Sequence, residues 1–437
     1  MKSNFIREEN IIRTVKDSLC MGCGTCEAMC PYSAIKMTKE DSKGIFIPRL
    51  DEQECNQCGV CYRVCPGHSI NSGEINQDII FSNPENSLIG NYLNCYSGYA
   101  TDYDIRYNSA SGGLVTTVLI YALEEGIIDG ALVTRMKKSD PLEPEPFIAR
   151  TKGEIIEASK SKYCPVPANI ALSEILKQEG KYAVVGLPCH IQGIRKAQRV
   201  NKTLNGRIIL HLSIFCSGVP NFKATEFLLF KKKLRAEEIK ELNYRGEGWP
   251  GCMSLYLKND KKIVLPYPGY RDGQTNLFLP GLFTPDRCIA CTDWFSELAD
   301  ISFGDAWLSE IKKNDNIGTS IIISRTIRGE DILVQMLRKG VIALSPLSAD
   351  KILESQPGFF RKKKQLIVQL AISGFLNRKI TSYYIGSQHY ISIKDYFDSI
   401  FLSLLTTLAS KRNLWKLLDI LRSLSRYGTG VYKILKK

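Results

Sequence analysis

Cys20-Met-Gly-Cys23-Gly-Thr-Cys26-Glu-Ala-Met-Cys30-Pro31 decides the fold of the N-terminal part, because it occurs twice. The second copy, Cys55-Asn-Gln-Cys58-Gly-Val-Cys61-Tyr-Arg-Val-Cys65-Pro66, matches the first cysteine for cysteine, 35 residues later. Two identical runs of C-x2-C-x2-C-x3-C-P are the spacing that wraps thiolates around iron–sulfur cubes. Three cysteines of a run hold one cube, and the fourth, before proline, reaches the other. The spacing therefore pairs Cys20, Cys23, Cys26 and Cys65 in one [4Fe–4S] site and Cys55, Cys58, Cys61 and Cys30 in a second. A structural zinc site would ask for four ligands in two pairs, not eight in two equal runs.

Residues 1–75 thus read as a two-cluster ferredoxin domain of bacterial type. Around it the chain is ordinary: 437 residues, 44% hydrophobic and 24% charged, enough for several domains and for cores that need no staples. This composition excludes a disordered, collagen-like or membrane-spanning bulk. The first residues are polar and lack the apolar run of a signal peptide, so the 15 cysteines read as reduced metal ligands in a cytoplasm rather than disulfides. A polar linker is expected over 76–94, including Asn83-Pro84 and Gly90.

Beyond the linker, alternation of strands and helices predicts a larger mixed sheet. Leu114–Leu123 and Ile191–Ala197 have helical character; Gly130–Val133, Tyr182–Gly186 and Arg207–Phe215 read as strands; Pro141–Pro146, with three prolines, reads as a surface turn. Cys189 and Cys216 each follow a predicted strand, and Cys288-x2-Cys291 precedes a third, Ala299-Asp-Ile-Ser-Phe-Gly-Asp305. Carboxyl ends of neighbouring strands are where ligands collect. These four thiols can bind a third [4Fe–4S] cluster or zinc, or simply be buried small hydrophobes; spacing leaves Cys164 and Cys252 open as substitutes.

Asn108-Ser-Ala-Ser-Gly-Gly113 runs straight into the first predicted helix. It reads either as a phosphate cradle, with Ser111 capping and Gly112 and Gly113 leaving room, or as a plain capped helix. Thr116 lies one turn in. His190 and His211 read as acid–base groups or as satisfied structural histidines, and Lys162 as a cation near a cofactor or a solvated side chain.

Nearly all of the formal +13 charge lies in residues 357–437, with fifteen Lys/Arg against three Asp/Glu. There Phe397, Ile400, Phe401, Leu404, Leu405 and Leu408, then Leu414, Leu417, Leu418, Leu421 and Leu424, recur at helical spacing. This predicts a basic amphipathic tail over 351–437. Its apolar stretch is too short to span a bilayer. It could touch an anionic membrane surface, dock a partner, attract an anionic coenzyme, or pack on the main body with a solvated basic face. Nucleic acid is not expected, since no recognised module for it is present.

Several segments together resemble the coenzyme F420 hydrogenase/dehydrogenase beta-subunit family: Tyr107-Asn-Ser-Ala-Ser-Gly-Gly113, Ser161-Lys-Tyr163, Gly186-Leu-Pro-Cys-His-Ile-Gln-Gly-Ile-Arg195, Cys288-Ile-Ala-Cys-Thr-Asp293 and Ala299-Asp-Ile-Ser-Phe-Gly-Asp305. The likeness spans roughly 95–345 and leaves the tail uncovered. It implies an FAD-containing iron–sulfur oxidoreductase, with a flavin-binding region over 95–178 and a second region over 179–350. By that resemblance Ser109, Ser111, Gly112, Gly113 and Thr116 form the flavin site, beside Ser161, Lys162 and Tyr163. Cys189, Cys216, Cys288 and Cys291 hold a flavin-proximal [4Fe–4S] cluster.

The expected fold class is therefore α+β / α/β: a small ferredoxin domain, a larger mixed-sheet flavin domain and a helical tail. Clusters carry single electrons and a flavin handles one or two, so no catalytic side chain is named. The expected function is electron passage between the clusters and coenzyme F420, alone or with a hydrogenase or dehydrogenase partner or a ferredoxin donor. The same scaffold could instead reduce another small organic substrate with ferredoxin electrons, or serve as a non-enzymatic electron carrier.

Overall fold

The computed structural model describes residues 10–68, 88–267, 278, 281–289, 291–360, 362–363, 367–368 and 405–421. Most of the expected linker, and the tail outside 351–360, 362–363, 367–368 and 405–421, lie outside the described residues.

In the small domain, β1 (Ile35–Glu40) and β2 (Ile45–Leu50) pair antiparallel. The short helices Thr25–Ala28 and Val60–Arg63 occupy equivalent places in the two cysteine runs. Each is preceded by a glycine in the left-handed region, Gly24 at φ 86° and Gly59 at φ 72°. The repeat in cysteines is thus a repeat in backbone.

The main sheet draws strands from both family-like regions. Its members are β3 (Asn94–Ala100), β4 (Gly130–Met136), β5 (Pro144–Ala149), β6 (Tyr182–Gly186) and β7 (Ile208–Ile214). Three further strands, β8 (Ile239–Asn243), β9 (Cys252–Leu257) and β10 (Lys262–Pro266), form a separate antiparallel sheet. β11 (Ile301–Asp305), β12 (Ser320–Ser324) and β13 (Ile342–Pro346) then return to the main one, whose order is β13-β3-β12-β11-β7-β6-β4-β5. Neighbours β4, β6, β7 and β11 run parallel, flanked by antiparallel β12 and β5.

Strands covered on both faces should be apolar throughout, and Ser320-Ile-Ile-Ile-Ser324 is buried at every position. Alternation assigns the faces. Ala131 and Val133 pack with the Leu114–Glu124 helix, whereas Leu132 faces the core that includes Ile191, Ile194 and Ala197 of the Pro188–Val200 helix. The first of these helices is buried on nearly all sides, as an all-round apolar sequence requires.

The proline-rich stretch meets expectation only at its start, where residues 141–142 form a turn. Pro144 and Pro146 are not in a turn but in β5, the last strand of the sheet. An edge strand can lose amide donors on its outer side without breaking a ladder, so the prolines are tolerated there.

The small domain sits on the second face. Ala28, Met29 and Val64 join the same core as Leu172 and Ile191. The tail residues at 405–421 pack against the three-stranded sheet and the helix beside it: Leu405, Ala409, Trp415 and Leu418 are buried with Phe227 and Leu255. Arg412 pairs with Glu226 and Lys231 with Asp419, both at 2.7 Å. Along these residues most of the apolar stripe is covered by the chain itself, while Leu417 and Ile420 are exposed. Among the described residues no helix is long and apolar enough to cross a membrane.

Two places hold the layers in register. Asp300, just before β11, accepts from the His211 backbone N–H at 2.7 Å, from Thr326 Oγ1 at 3.0 Å and from Arg195 at 3.3 Å. Burial alone would raise its carboxyl, but Arg195 and His211 hold it well below the usual range. Asp300→Ala would leave Arg195, 13% exposed at its side chain, without its buried partner. The expected loss is about 3–5 kcal/mol in denaturant unfolding of the full chain; a change below about 1 kcal/mol would contradict this.

The second place is Gly193, in the Pro188–Val200 helix, where an added Cβ would stand 2.3 Å from Thr25 Oγ1 of the small domain. Alanine normally gains about 1 kcal/mol over glycine in a helix. Here overpacking of about 1–3 kcal/mol opposes it. Gly193→Ala is expected to lower the thermal midpoint rather than raise it.

Candidate redox site

The eight N-terminal cysteines divide as the spacing predicts. Cys20, Cys23, Cys26 and Cys65 line one small cavity, and Cys30, Cys55, Cys58 and Cys61 line another. The fourth cysteine of each run has crossed to the other set. Burial pushes the Cys20 thiol up to about 12 and Cys23 up to about 11, with Cys65 adding to both. Cys26 is raised further by burial and by Cys23. Buried sulfurs that repel one another as thiolates suit a cationic core that needs them deprotonated.

Cys189, Cys216, Cys288 and Cys291 line a third cavity, of about 70 Å³. Cys189 is in the first turn of the Pro188–Val200 helix, after β6, and Cys216 is two residues past β7. Cys288 lies in the short helix Asp286–Ile289, with Cys291 just beyond it. Burial raises Cys189 well above the ordinary value, pushes Cys216 up to about 12 and raises Cys288. Cys164 and Cys252 are not among these residues: Cys164 faces Tyr244, and Cys252 on β9 lies 3.6 Å from Ser254 Oγ. Among the described residues no three Cys, His, Asp or Glu side chains close to the spacing of one bound ion. The thiols share the linings of the three small cavities instead.

The largest of these spaces, about 360 Å³, opens at the carboxyl ends of β4, β6, β7 and β11. That is within the size of cofactor sites and at the position expected in an open sheet. Ser109, Ser111, Gly113, Thr116, Ser161, Lys162 and Tyr163 all line it. Gly112 does not: its N–H donates to Ser320 Oγ at 3.0 Å, and a Cβ there would meet the Gly98 carbonyl oxygen at 2.6 Å. Ser111 does not cap the helix either. The cap is Gly113 at φ 76°, while Ser111 Oγ donates to the Thr319 carbonyl at 2.8 Å. The left-handed turn leaves the first helical amides without a side-chain acceptor, which a phosphate could supply.

Lys162 is not a free cation. Its ammonium donates to the carbonyls of Ala158, Ser159 and Lys160 at 2.5, 2.7 and 3.1 Å, and burial pushes it down to about 7. His190 is structural as well: Nδ1 accepts from Leu187 N–H at 3.1 Å and Nε2 faces the Val166 carbonyl at 3.1 Å. Burial holds it down to about 4, so it is neutral at pH 7. His211 is engaged on both ring nitrogens, with Asp300 at 3.0 Å and Gln198 at 2.9 Å.

Sequence reasoning missed the ion pair on the cavity wall. Arg245, 2% exposed, meets Asp305 at 2.7 Å and lies over the Tyr267 ring at 4.4 Å. Its Nε has no partner among the described residues. The signal was Arg245-Gly-Glu-Gly-Trp-Pro-Gly251, whose three glycines mark a tight turn bringing one cation to the sheet.

Three of these spaces adjoin: the Cys20 cavity, the Cys189 cavity and the large one. Cys20, Met21 and Gly22 belong to both the first and third thiol cavities. Leu187, His190, Cys216, Gly218 and Val219 belong to both the third and the large one.

Profiles of known families agree with this arrangement. That of the coenzyme F420 hydrogenase/dehydrogenase beta subunit matches at residues 95–173 for its N-terminal part and 179–350 for its C-terminal part, and a 4Fe-4S dicluster domain matches 19–68. The coenzyme F420 hydrogenase subunit beta of Methanothermobacter thermautotrophicus is 31% identical over 60% of this chain and 88% of that protein. The same subunit of Methanosarcina barkeri is 27% identical over 61% and 86%. In the solved F420-reducing [NiFe] hydrogenase complex of Methanosarcina barkeri, one chain superposes with a TM-score of 0.52 at 23% identity, covering 69% of this chain and 99% of that one, a likeness of fold. The chain is thus an iron–sulfur electron-transfer protein that belongs to the coenzyme F420 hydrogenase/dehydrogenase beta-subunit family.

Proposed function

We propose that this chain carries electrons between a partner protein and coenzyme F420, through three [4Fe–4S] clusters and an FAD, as one subunit of a larger oxidoreductase. The observation that carries this reading is the lining that the Cys20 cavity shares with the Cys189 cavity, and the Cys189 cavity with the large one, a chain of adjoining spaces suited to passing electrons. Relatives named as subunits of an F420 hydrogenase support a partner subunit.

In this reading Cys20, Cys23, Cys26 and Cys65 hold the middle cluster, and Cys30, Cys55, Cys58 and Cys61 the outermost, where Cys58 is exposed to a donor. Cys189, Cys216, Cys288 and Cys291 hold the cluster nearest the large cavity. Bound FAD supplies the exchange between single electrons and the hydride that coenzyme F420 carries. Ser111, Thr116 and the amide end of the Leu114–Glu124 helix would receive its phosphates. Lys162 ties the Ala158–Lys160 turn in place at the cavity wall, and Arg245, held by Asp305, places one cation against the ring system or the anionic substrate. His190 stays neutral and fixes the wall between cluster and cavity.

The test uses anaerobically purified protein with clusters and FAD restored. Added reduced coenzyme F420 should bleach the flavin absorbance and then that of the clusters. Flavin that stays oxidised with reduced F420 yet bleaches with reduced ferredoxin would assign the scaffold to another substrate. Failure to retain flavin would leave an electron carrier.

Two substitutions check the parts separately. Cys189→Ala should remove one cluster's iron while the eight N-terminal ligands still assemble theirs; unchanged iron content would refute the third site. Gly113→Ala forces a side chain into the left-handed region at about 1–2 kcal/mol. It should lower FAD retention roughly tenfold without changing iron content.

A further inference from the structure

The family match ends at residue 350, yet the chain beyond it returns to the redox site. Gln356 Nε2 donates to the Asp305 carbonyl at 2.9 Å, and Phe359 is buried against Phe295 and Trp294, with ring centroids 5.1 and 5.8 Å apart. These anchors bring Lys362 into the lining of the cavity formed by Cys189, Cys216, Cys288 and Cys291. Its ammonium lies 5.6 Å from the centre of the Trp294 ring, and the residue is 9% exposed.

Such a position is costly unless something compensates it. Taking an ammonium out of water is unfavourable even after relaxation. A cation–π contact returns only part of that. Among the described residues no carboxylate pairs with Lys362, so protein side chains leave most of that cost uncovered. The missing counter-charge is at hand in the four sulfurs, which are net negative as thiolates around a cluster. The Lys362 charge favours the thiolate at both Cys216 and Cys288. Arg287 also lines this cavity, but its charge bears on Cys20 as well as Cys288, so it acts on two thiol sets. The effect of Lys362 falls on the third set.

We infer that Lys362 is an electrostatic positioning residue for the Cys189 thiol set, raising the reduction potential of the cluster held there relative to the two ferredoxin clusters. The inference rests on the third-cluster reading above and adds to it a residue outside the family match. One electron, supplied by the neighbouring cluster at Cys20, adds one negative charge at the Cys189 site; no bond forms or breaks and no proton need move. A fixed cation in a site of low dielectric favours the reduced form. The electron is thereby held one step from the large cavity, where a pair must be collected for a hydride.

The measurement is a redox titration, followed by electron paramagnetic resonance, of the full chain with its clusters restored. Lys362→Gln should lower the reduction constant of the third cluster on the order of tenfold against the other two, about 59 mV for a one-electron couple. Lys362→Arg should restore it. Lys363→Gln, which removes the neighbouring cation over Phe359, should leave it unchanged. An unshifted third cluster in Lys362→Gln at full iron content would overturn the inference, as would equal shifts of all three clusters or an equal shift in Lys363→Gln. Cys189→Ala separates the two levels: if it removes no iron, the third-cluster reading fails and Lys362 with it. If it removes one cluster while Lys362→Gln titrates like the parent, only the role of Lys362 fails.

Discussion

The arrangement depends on one buried amide. Asn169, fully buried, donates from Nδ2 to Thr25 Oγ1 at 2.8 Å and to the His190 carbonyl at 2.9 Å, while its backbone N–H donates to the Cys23 carbonyl at 2.9 Å. Thr25 stands between two cluster cysteines, and His190 directly follows Cys189. A single side chain therefore sets the distance between the ferredoxin loop and the helix that begins the third thiol set. Electron transfer needs spacing held to a fraction of an ångström more than it needs any reactive side chain, and a water-free polar contact of this kind holds spacing well.

The same economy recurs at the other titratable groups. His190, His211, Lys162 and Asp300 all have the chemistry of acids and bases, yet each is engaged by backbone or by an ion pair. They make walls. At the large cavity Arg245 Nε and Trp294 Nε1 are donors without a partner among the described residues, and Lys362 lines the cavity of the third thiol set with no carboxylate paired to it among those residues. Buried groups of this kind are where a bound partner could supply the missing charge or hydrogen bond.

The cysteine runs were legible in sequence, because ligand spacing is a local property of the chain: three thiols within seven residues, as at Cys20, Cys23 and Cys26, meet by turning around a common centre. The strands at Tyr182–Gly186 and Ile208–Ile214 were legible for a similar reason, being short β-branched runs between turn residues. The cap at Gly113 was misread. Ser111 has the right residue type, but the close approach of Ser320 and Thr319 from β12 and its lead-in takes its hydroxyl away from the helix. The prolines at 144 and 146 were misread as a turn because a strand's place at the sheet edge is not visible along the chain.

What the sequence determined by itself is the inventory: eight cysteines in two crossing sets, a glycine turn before an apolar helix, further cysteines after strands, and a basic tail with a helical stripe. All of these follow from spacing and period, which are local. The tertiary structure alone decided that Cys189, Cys216, Cys288 and Cys291 face one gap while Cys164 and Cys252 do not, that Arg245 meets Asp305, and that Lys362 reaches the thiols. Each joins residues tens to more than a hundred positions apart. Their meeting depends on the order β11-β7-β6-β4 and on packing across the sheet, and no short-range pattern encodes that order.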